Sequence, residues 1–235
     1  MGGRNGVAII LNPWAYQKWV KGGRESWIFG EDANKPSEEK REDTYSYEGR
    51  WLSIDLEISD KQGRPMTCCL TTTYAPQTGK PWIERHEWMK GIRWMKQRAY
   101  GKILICGGDF NAAMGLAGNT TDKTVGKYGI QSTNTEGKQL RQEFKNTGMR
   151  VMSTFYEHKA TDTKGGTWFH HPSGEWKQNG HIITTVDDAK RFEYAWTMSL
   201  QHSPTTGDHR GVQAHVKLAT NLARQEPAPY IRPTK

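Results

Sequence analysis

Cysteine is scarce in this chain: Cys68, Cys69 and Cys106 are the only three in 235 residues, too few for a disulfide framework. Cys68 and Cys69 are adjacent in an apolar run, so in a strand they point to opposite faces, and reduced thiols in a core are expected. Long hydrophobic runs are missing too. None approaches the ~18 consecutive apolar residues of a spanning helix, and mean hydropathy is −0.85. The run nearest the N-terminus, Val7 to Leu11, is too short for a secretory signal core, which makes cytoplasm or nucleus the expected address. No internal repeat, heptad array or low-complexity tract is found. Acidic residues run short, 25 against 33 Lys and Arg, for a net charge of +8. That excess is read either as a footprint for a polyanion or as solubility alone. What the chain has in quantity is aromatic surface, 10 Trp, 9 Tyr and 6 Phe, far more than disordered chains carry. Its length suits one large α/β domain.

Val7-Ala8-Ile9-Ile10-Leu11, ended by Asn12-Pro13, reads as a strand buried on both faces. Residues 21–49, rich in Gly and charge, read as an exposed loop. Leu52, Ile54, Leu56 and Ile58 alternate with polar neighbours, and Met66 to Tyr74 returns after a Gln62-Gly63 turn, which predicts a hairpin. Pro81 opens a helix with Trp88, Ile92, Met95 and Ala99 on one face. Trp82, Trp88 and Trp94 recur every six residues and cannot share that face, so some belong to the core and some to the surface. Lys102 to Cys106 is a buried strand. Asn134 caps a second helix with Leu140 and Phe144 inward and Gly148 at its stop. Further strands are expected at Arg150 to Ser153, His181 to Thr185, Phe192 to Met198 and Gly211 to Leu218. Residues 1–218 form the expected domain and 219–235 a mobile tail.

Two clusters could carry chemistry. Asp109 and Asn111 lie two apart at the carboxyl end of the Ile103 to Cys106 strand, where open α/β sheets place ligands, and Gly107 and Gly108 allow close backbone approach. Thr206-Gly207-Asp208-His209-Arg210 precedes the last strand, and an adjacent Asp and His can hold a metal, a phosphate or an activated water. Each stretch also reads as an ordinary polar turn. His170-His171 lacks further ligands at zinc spacing, and Gly165-Gly166 lacks the Gly-Lys-Ser/Thr of a phosphate loop. Lys90, Arg93, Lys96, Arg98 and Lys102 read as a solvated helix face or as a DNA contact.

Tyr74-Ala75-Pro76, Gly108-Asp109-Phe110-Asn111-Ala112, Thr167-Trp168 and Asp208-His209 occur in the order seen in the endonuclease/exonuclease/phosphatase superfamily. Asn134-Thr135-Glu136-Gly137, Ser153-Thr154-Phe155 and His181-Ile182-Ile183 make the chain resemble, within it, the endonuclease domain of LINE-type non-LTR retrotransposons over about residues 4 to 218. The resemblance implies a deoxyribonuclease I-like fold, two packed mixed β-sheets flanked by helices in a four-layer α/β sandwich. It also implies hydrolysis of DNA phosphodiesters with Mg2+ or Mn2+. In that scheme Asp109 orients or deprotonates water and Asn111 holds a phosphate oxygen, while Tyr74 and Thr167 hydrogen-bond around the scissile group. Asp208 binds the metal and orients His209, which stabilises the phosphorane.

The chain departs from that pattern. The family places an Asn and a metal-binding Glu ahead of the strand matched by Val7 to Leu11, and only six residues precede Val7, so the expectation is a domain truncated at its first strand. Gly180 stands where the family has an Asp in the Gln178-Asn179-Gly180-His181-Ile182 stretch, and Gly207 replaces a Ser. Loss of two carboxylates removes most of the charge that holds a hard cation. The resulting expectation is weak metal binding with little or no cleavage. The rival readings are a working nuclease or phosphatase with, for example, Glu31 or Asp32 as substitute ligands, a non-catalytic nucleic-acid binder, and a remnant of a mobile element. DNA is the expected partner; nothing points to a membrane or to a protein partner.

Overall fold

The computed structural model describes residues 7–29, 49–60, 62–118, 122–158, 163–199 and 207–218. Its centre is a mixed six-stranded sheet in the order β1-β2-β3-β4-β8-β5, built from β1 (Ser26–Ile28), β2 (Trp51–Ser59), β3 (Pro65–Tyr74), β4 (Ile103–Asp109), β5 (Met149–Val151) and β8 (Gly180–Thr185). β3 and β4 run parallel and every other pairing is antiparallel. The β2–β3 hairpin follows from the alternation of Leu52 to Ile58 and the short 60–64 connection, in which Asp60 accepts from the backbone N–H groups of Gln62 and Arg64.

One face of the sheet is covered by α2 (Trp82–Arg98) and α3 (Thr135–Thr147). The expected stripe is what they bury: Trp88, Ile92 and Met95 from α2 and Leu140 and Phe144 from α3 meet Leu104, Cys106 and Cys69 of the sheet. Helix α3 begins with the Asn134 side chain accepting from Gly137 N–H and ends on Gly148 in the left-handed region, φ 67°, the cap pair its sequence predicts. On the other face, Cys68, Ile54, Leu56, Ile58 and Ile103 pack under α1 (Pro13–Lys21), through Trp14, Ala15 and Trp19. Beside them lies an antiparallel pair, β9 (Phe192–Thr197) and β10 (Val212–Val216). Phe192, Ala195, Ala214 and Val216 close a third cluster against Ile105 and Ile182. A separate hairpin, β6 (Trp168–His170) and β7 (Glu175–Lys177), stands at one end. All three cysteines are buried and free, with Cys68 and Cys69 in different core clusters as their adjacency requires.

The architecture is therefore the expected α/β sandwich of mixed sheet and flanking helices, with the second sheet present as the β9–β10 pair among the described residues. Three expectations change. Val7 to Leu11 is not a strand: Ile9 and Leu11 pack on the second cluster while Ile10 is 95% exposed. The Asn-Pro that was expected to end a strand instead starts α1, Asn12 accepting from Ala15 N–H with Pro13 at the first helical position. The expected strand at Arg150 to Ser153 is displaced to Met149–Val151 and turns into a single 3-10 turn, Met152–Thr154. The 21–49 stretch, expected as a loop, instead forms strand β1 at Ser26–Ile28, whose backbone pairs with β2; most of the rest of it lies outside the described residues, as do Glu31, Asp32, Thr206 and the 219–235 tail. Among the described residues no helix is long and apolar enough to cross a membrane.

Candidate functional site

The parallel β3–β4 register places Tyr74 directly beside Asp109, and the antiparallel β4–β8 register places Asp109 beside Gly180. Tyr74 N–H also donates to Arg50 O, so positions 50, 74, 109 and 180 form one row across the carboxyl ends of the two parallel strands. Residues level in register share a face, so the row gathers side chains that lie far apart in the chain.

The loops that leave these strands are tied together. Ala75 N–H donates to Asp109 O, and the Asn111 side chain returns a bond to Ala75 O at 2.8 Å. Asn111 has φ 44°, a left-handed conformation that Asn tolerates better than most residues. Its N–H donates to Asp109 Oδ1 at 2.9 Å. Below them Arg85 of α2, 8% exposed, donates to Pro76 O at 2.8 Å and to Phe110 O at 3.1 Å. One guanidinium thus holds both loops, a two-point geometry that its planar fork makes possible.

The cavity above this row has a volume of about 590 Å3, and Tyr74, Asp109, Asn111 and His209 all line it. Four of the six expected site residues are thus brought together. Thr167 and Asp208 are not on the wall. Thr167 is 2% exposed, and its Oγ1 accepts from Asn179 N–H at 2.9 Å and Gly180 N–H at 2.8 Å, so it anchors the start of β8. Asp208 Oδ2 accepts from the Trp168 indole N–H at 2.9 Å, while its Oδ1 lies 3.9 Å from His209 Nε2, too far for a hydrogen bond. His209 is placed instead through its backbone, which bridges to Trp168, and Arg210 N–H donates to Thr167 O.

Gln77 and Lys177 on the wall were not singled out from the sequence, and Asn134, His170 and Asn179 were noted there but not as site residues. Gln77 follows Tyr74-Ala75-Pro76 and donates to Tyr74 Oη at 3.1 Å; a polar side chain three residues beyond that Tyr was the available signal. Asn179 sits beside Gly180, in the stretch already marked as departing from the pattern.

Burial pushes the Asp109 carboxyl upward, opposed by the Asn111 N–H and by the His209 and Arg85 charges. Asp208 is held below the usual carboxylate range, chiefly by the Trp168 N–H. Asp109 is the one acidic residue on the cavity wall. Among the described residues no group of three or more His, Cys, Asp or Glu is arranged to hold a metal ion. Mg2+ demands near-octahedral oxygen donors and dehydrates reluctantly. A wall with one carboxylate, biased toward protonation and already accepting a backbone N–H, does not fit a preformed Mg2+ or Mn2+ site.

No family model and no curated protein sequence matches the chain. Among solved structures, the catalytic domain of APE2 from Xenopus laevis aligns with TM-score 0.49 and 13% identity over 72% of this chain and 56% of that one. The 3′ phosphatase NExo from Neisseria, bound to a product DNA hairpin, aligns with TM-score 0.49 and 13% identity over 73% and 66%. The endonuclease domain of TRAS1, a telomere-specific non-LTR retrotransposon, aligns with TM-score 0.52 and 15% identity over 73% of this chain. The chain spans 64% of the length of that domain. At 15% identity the likeness is one of fold: the chain shares its α/β sandwich with the TRAS1 endonuclease domain, as the resemblance read from the sequence implies.

Proposed function

We propose that the chain is a DNA-binding domain built on an endonuclease frame, with little or no phosphodiester cleavage of its own. The observation that carries the reading is the pairing of Gly180 with Asp109 across β4 and β8. The position facing the one wall carboxylate offers no second carboxylate. The remaining wall is rich in hydrogen-bond donors, Asn111, Asn179, Lys177, His170 and His209, which suits an anion. Asn111 and His209 are assigned to phosphate oxygens. Tyr74 Oη, which accepts from Gln77, keeps its own proton for a further oxygen. Thr167 and Arg85 are positioning residues that fix β8 and the two loops. Any divalent ion is held weakly by these side chains, and no step is assigned to one.

The basic cluster does not single out α2 as the DNA contact, and Lys177 on the cavity wall is likewise paired, with Glu175 at 2.8 Å. On that helix Lys90 pairs with Glu87 and Arg93 with Glu143, while Arg98 and, after it, Lys102 both pair with Asp55. Most of the basic cluster seen in the sequence is thus neutralised locally.

The test is nicking of supercoiled plasmid with Mg2+, run beside equilibrium binding of labelled DNA over a salt series. The expected result is binding that weakens steeply with salt and no nicking above that of Asp109→Ala. EDTA-sensitive nicking abolished by Asp109→Ala would overturn the proposal and favour a working nuclease with ligands from the 21–49 stretch; absence of binding at low salt would sink the DNA assignment. Gly180→Asp belongs in the same series. A β-carbon at 180 would stand 3.4 Å from Thr167, ordinary contact, so the variant is expected to fold, and nicking by it alone would identify position 180 as the missing ligand.

A further inference from the structure

Residues 77–82 cross the rim of the cavity from β3 to α2, and all six are exposed. The first two, Gln77 and Thr78, line the cavity. A turn closed by Lys80 N–H on Gln77 O then brings the chain to Pro81, and Trp82 opens the helix. Trp82 is 75% exposed, whereas Trp88 further along α2 is fully buried. It is off the apolar stripe, and its ring contact is with His86, centroids 5.7 Å apart. A large exposed ring is ordinary when scattered. This one, however, is held on the first turn of a helix that Arg85 and Trp88 pin to the core. Its backbone is four residues from the cavity wall at Thr78, at most about 14 Å even if fully extended.

We infer that Trp82 is a stacking platform for an unpaired base of a single-stranded DNA segment whose phosphate occupies the cavity. The inference rests on the DNA-binding reading above and names the form of DNA. Inside a duplex both faces of a base are covered by its neighbours, so an indole on the rim has only edges to touch. In a single strand, a frayed end or an overhang the base face is open, and stacking on an aromatic side chain is tolerant of sequence. Exposed Lys80, between cavity and ring, supplies a cation along the same path.

The experiment compares the unaltered full chain with Trp82→Ala, Trp82→Phe and Tyr100→Ala. Tyr100 is 90% exposed just beyond the far end of α2, roughly 25 Å along the helix from Trp82. Binding of a labelled single-stranded oligonucleotide and of its duplex is measured over a salt series, with circular dichroism to confirm the fold. The expected result is single-strand affinity reduced about 5- to 150-fold in Trp82→Ala, the range spanned by alanine substitutions at stacking residues. Trp82→Phe should retain most of it, Tyr100→Ala should match the original, and the salt slope should not change, since no phosphate contact is removed. Single-strand affinity of Trp82→Ala equal to that of the unaltered chain would overturn the inference while leaving DNA binding standing. Equal losses on duplex and single strand would also overturn it, by making the ring a general contact. If the unaltered chain binds neither DNA, the underlying reading itself fails, and the exposed ring is then left to a protein partner.

Discussion

Gly107 and Gly108, neighbours at the end of β4, are predicted to respond oppositely to alanine. A β-carbon at Gly108 would fall 2.0 Å from Thr73 O and 2.9 Å from its carbonyl carbon. Thr73 cannot retreat. It is 2% exposed, paired with Trp51 on the β2 side, and its hydroxyl donates to Arg50 O and accepts from the Trp88 indole. The strands must therefore part by more than an ångström. Overpacking of this kind costs about 1–3 kcal/mol, and the loss of one or two ladder bonds about 1 kcal/mol each, so Gly108→Ala should destabilise by roughly 2–5 kcal/mol. For a domain of this size that lowers Tm by about 4–20 °C. At Gly107 the nearest atom to an added β-carbon is Ile182 Cγ1 at 3.9 Å, and an alanine there is expected to be neutral or stabilising by up to about 1 kcal/mol. Thermal unfolding of both variants by circular dichroism checks the pair. A Gly108→Ala protein melting within about 2 °C of Gly107→Ala would refute the claim that contact across β3 and β4 requires the glycine. The next register pair is Tyr74 with Asp109, so a folded Gly108→Ala chain is also expected to bind DNA less tightly.

Arg85→Met removes two charge-assisted bonds, to Pro76 O and Phe110 O, and should destabilise by about 2–4 kcal/mol. Arg85→Lys should fail to restore DNA affinity, because an ammonium cannot span both carbonyls; full rescue by lysine would reduce the residue to a charge. Asp109→Asn tests the electrostatic cost of the site. The folded carboxyl is raised above the ordinary 3.8 by burial, so what it adds to stability is fully present below that value and is lost as pH rises through the higher folded value. The Tm advantage of Asn at 109 should therefore be near zero at about pH 3 and largest near neutrality. An advantage that is constant or shrinks as pH rises would contradict the burial argument.

What the sequence exposed depended on how local the cause was. The hairpin of β2 and β3, the buried stripe of α2 and the caps of α3 follow from alternation, 3.6-residue spacing and the Asn134 and Gly148 signals, all within a few residues. Val7 to Leu11 misled because an apolar run cannot say whether a strand is available to pair with it. The helix start at Asn12-Pro13 was readable, since an Asn cap followed by Pro is a known N-terminal signature, and it lost to the apolar run before it. The β6–β7 hairpin has strands of three residues each, too short for period-2 alternation to be distinguished from chance.

The site divides along the same line. Tyr74, Asp109, Asn111 and His209 were named by motif, yet only register could show that Tyr74 and Asp109 stand level, and that Gly180 completes their row. Thr167 and Asp208 show the converse. Their types suit phosphate chemistry, but Thr167 Oγ1 is taken up by the Asn179 and Gly180 N–H groups and one Asp208 oxygen by the Trp168 indole, partners that spacing alone does not reveal. The row also gives the departure at 180 its physical meaning. A second carboxylate there would face Asp109 across adjacent strands at about 4.5–5.5 Å between β-carbons, a repulsion that calls for a cation between them. With glycine in that place the repulsion is gone, while His209 and Arg85 still oppose the rise in the Asp109 pKa. The demand for a cation falls and the donors on the wall remain, which is the physical ground for proposing that the frame holds a phosphate without cutting beside it.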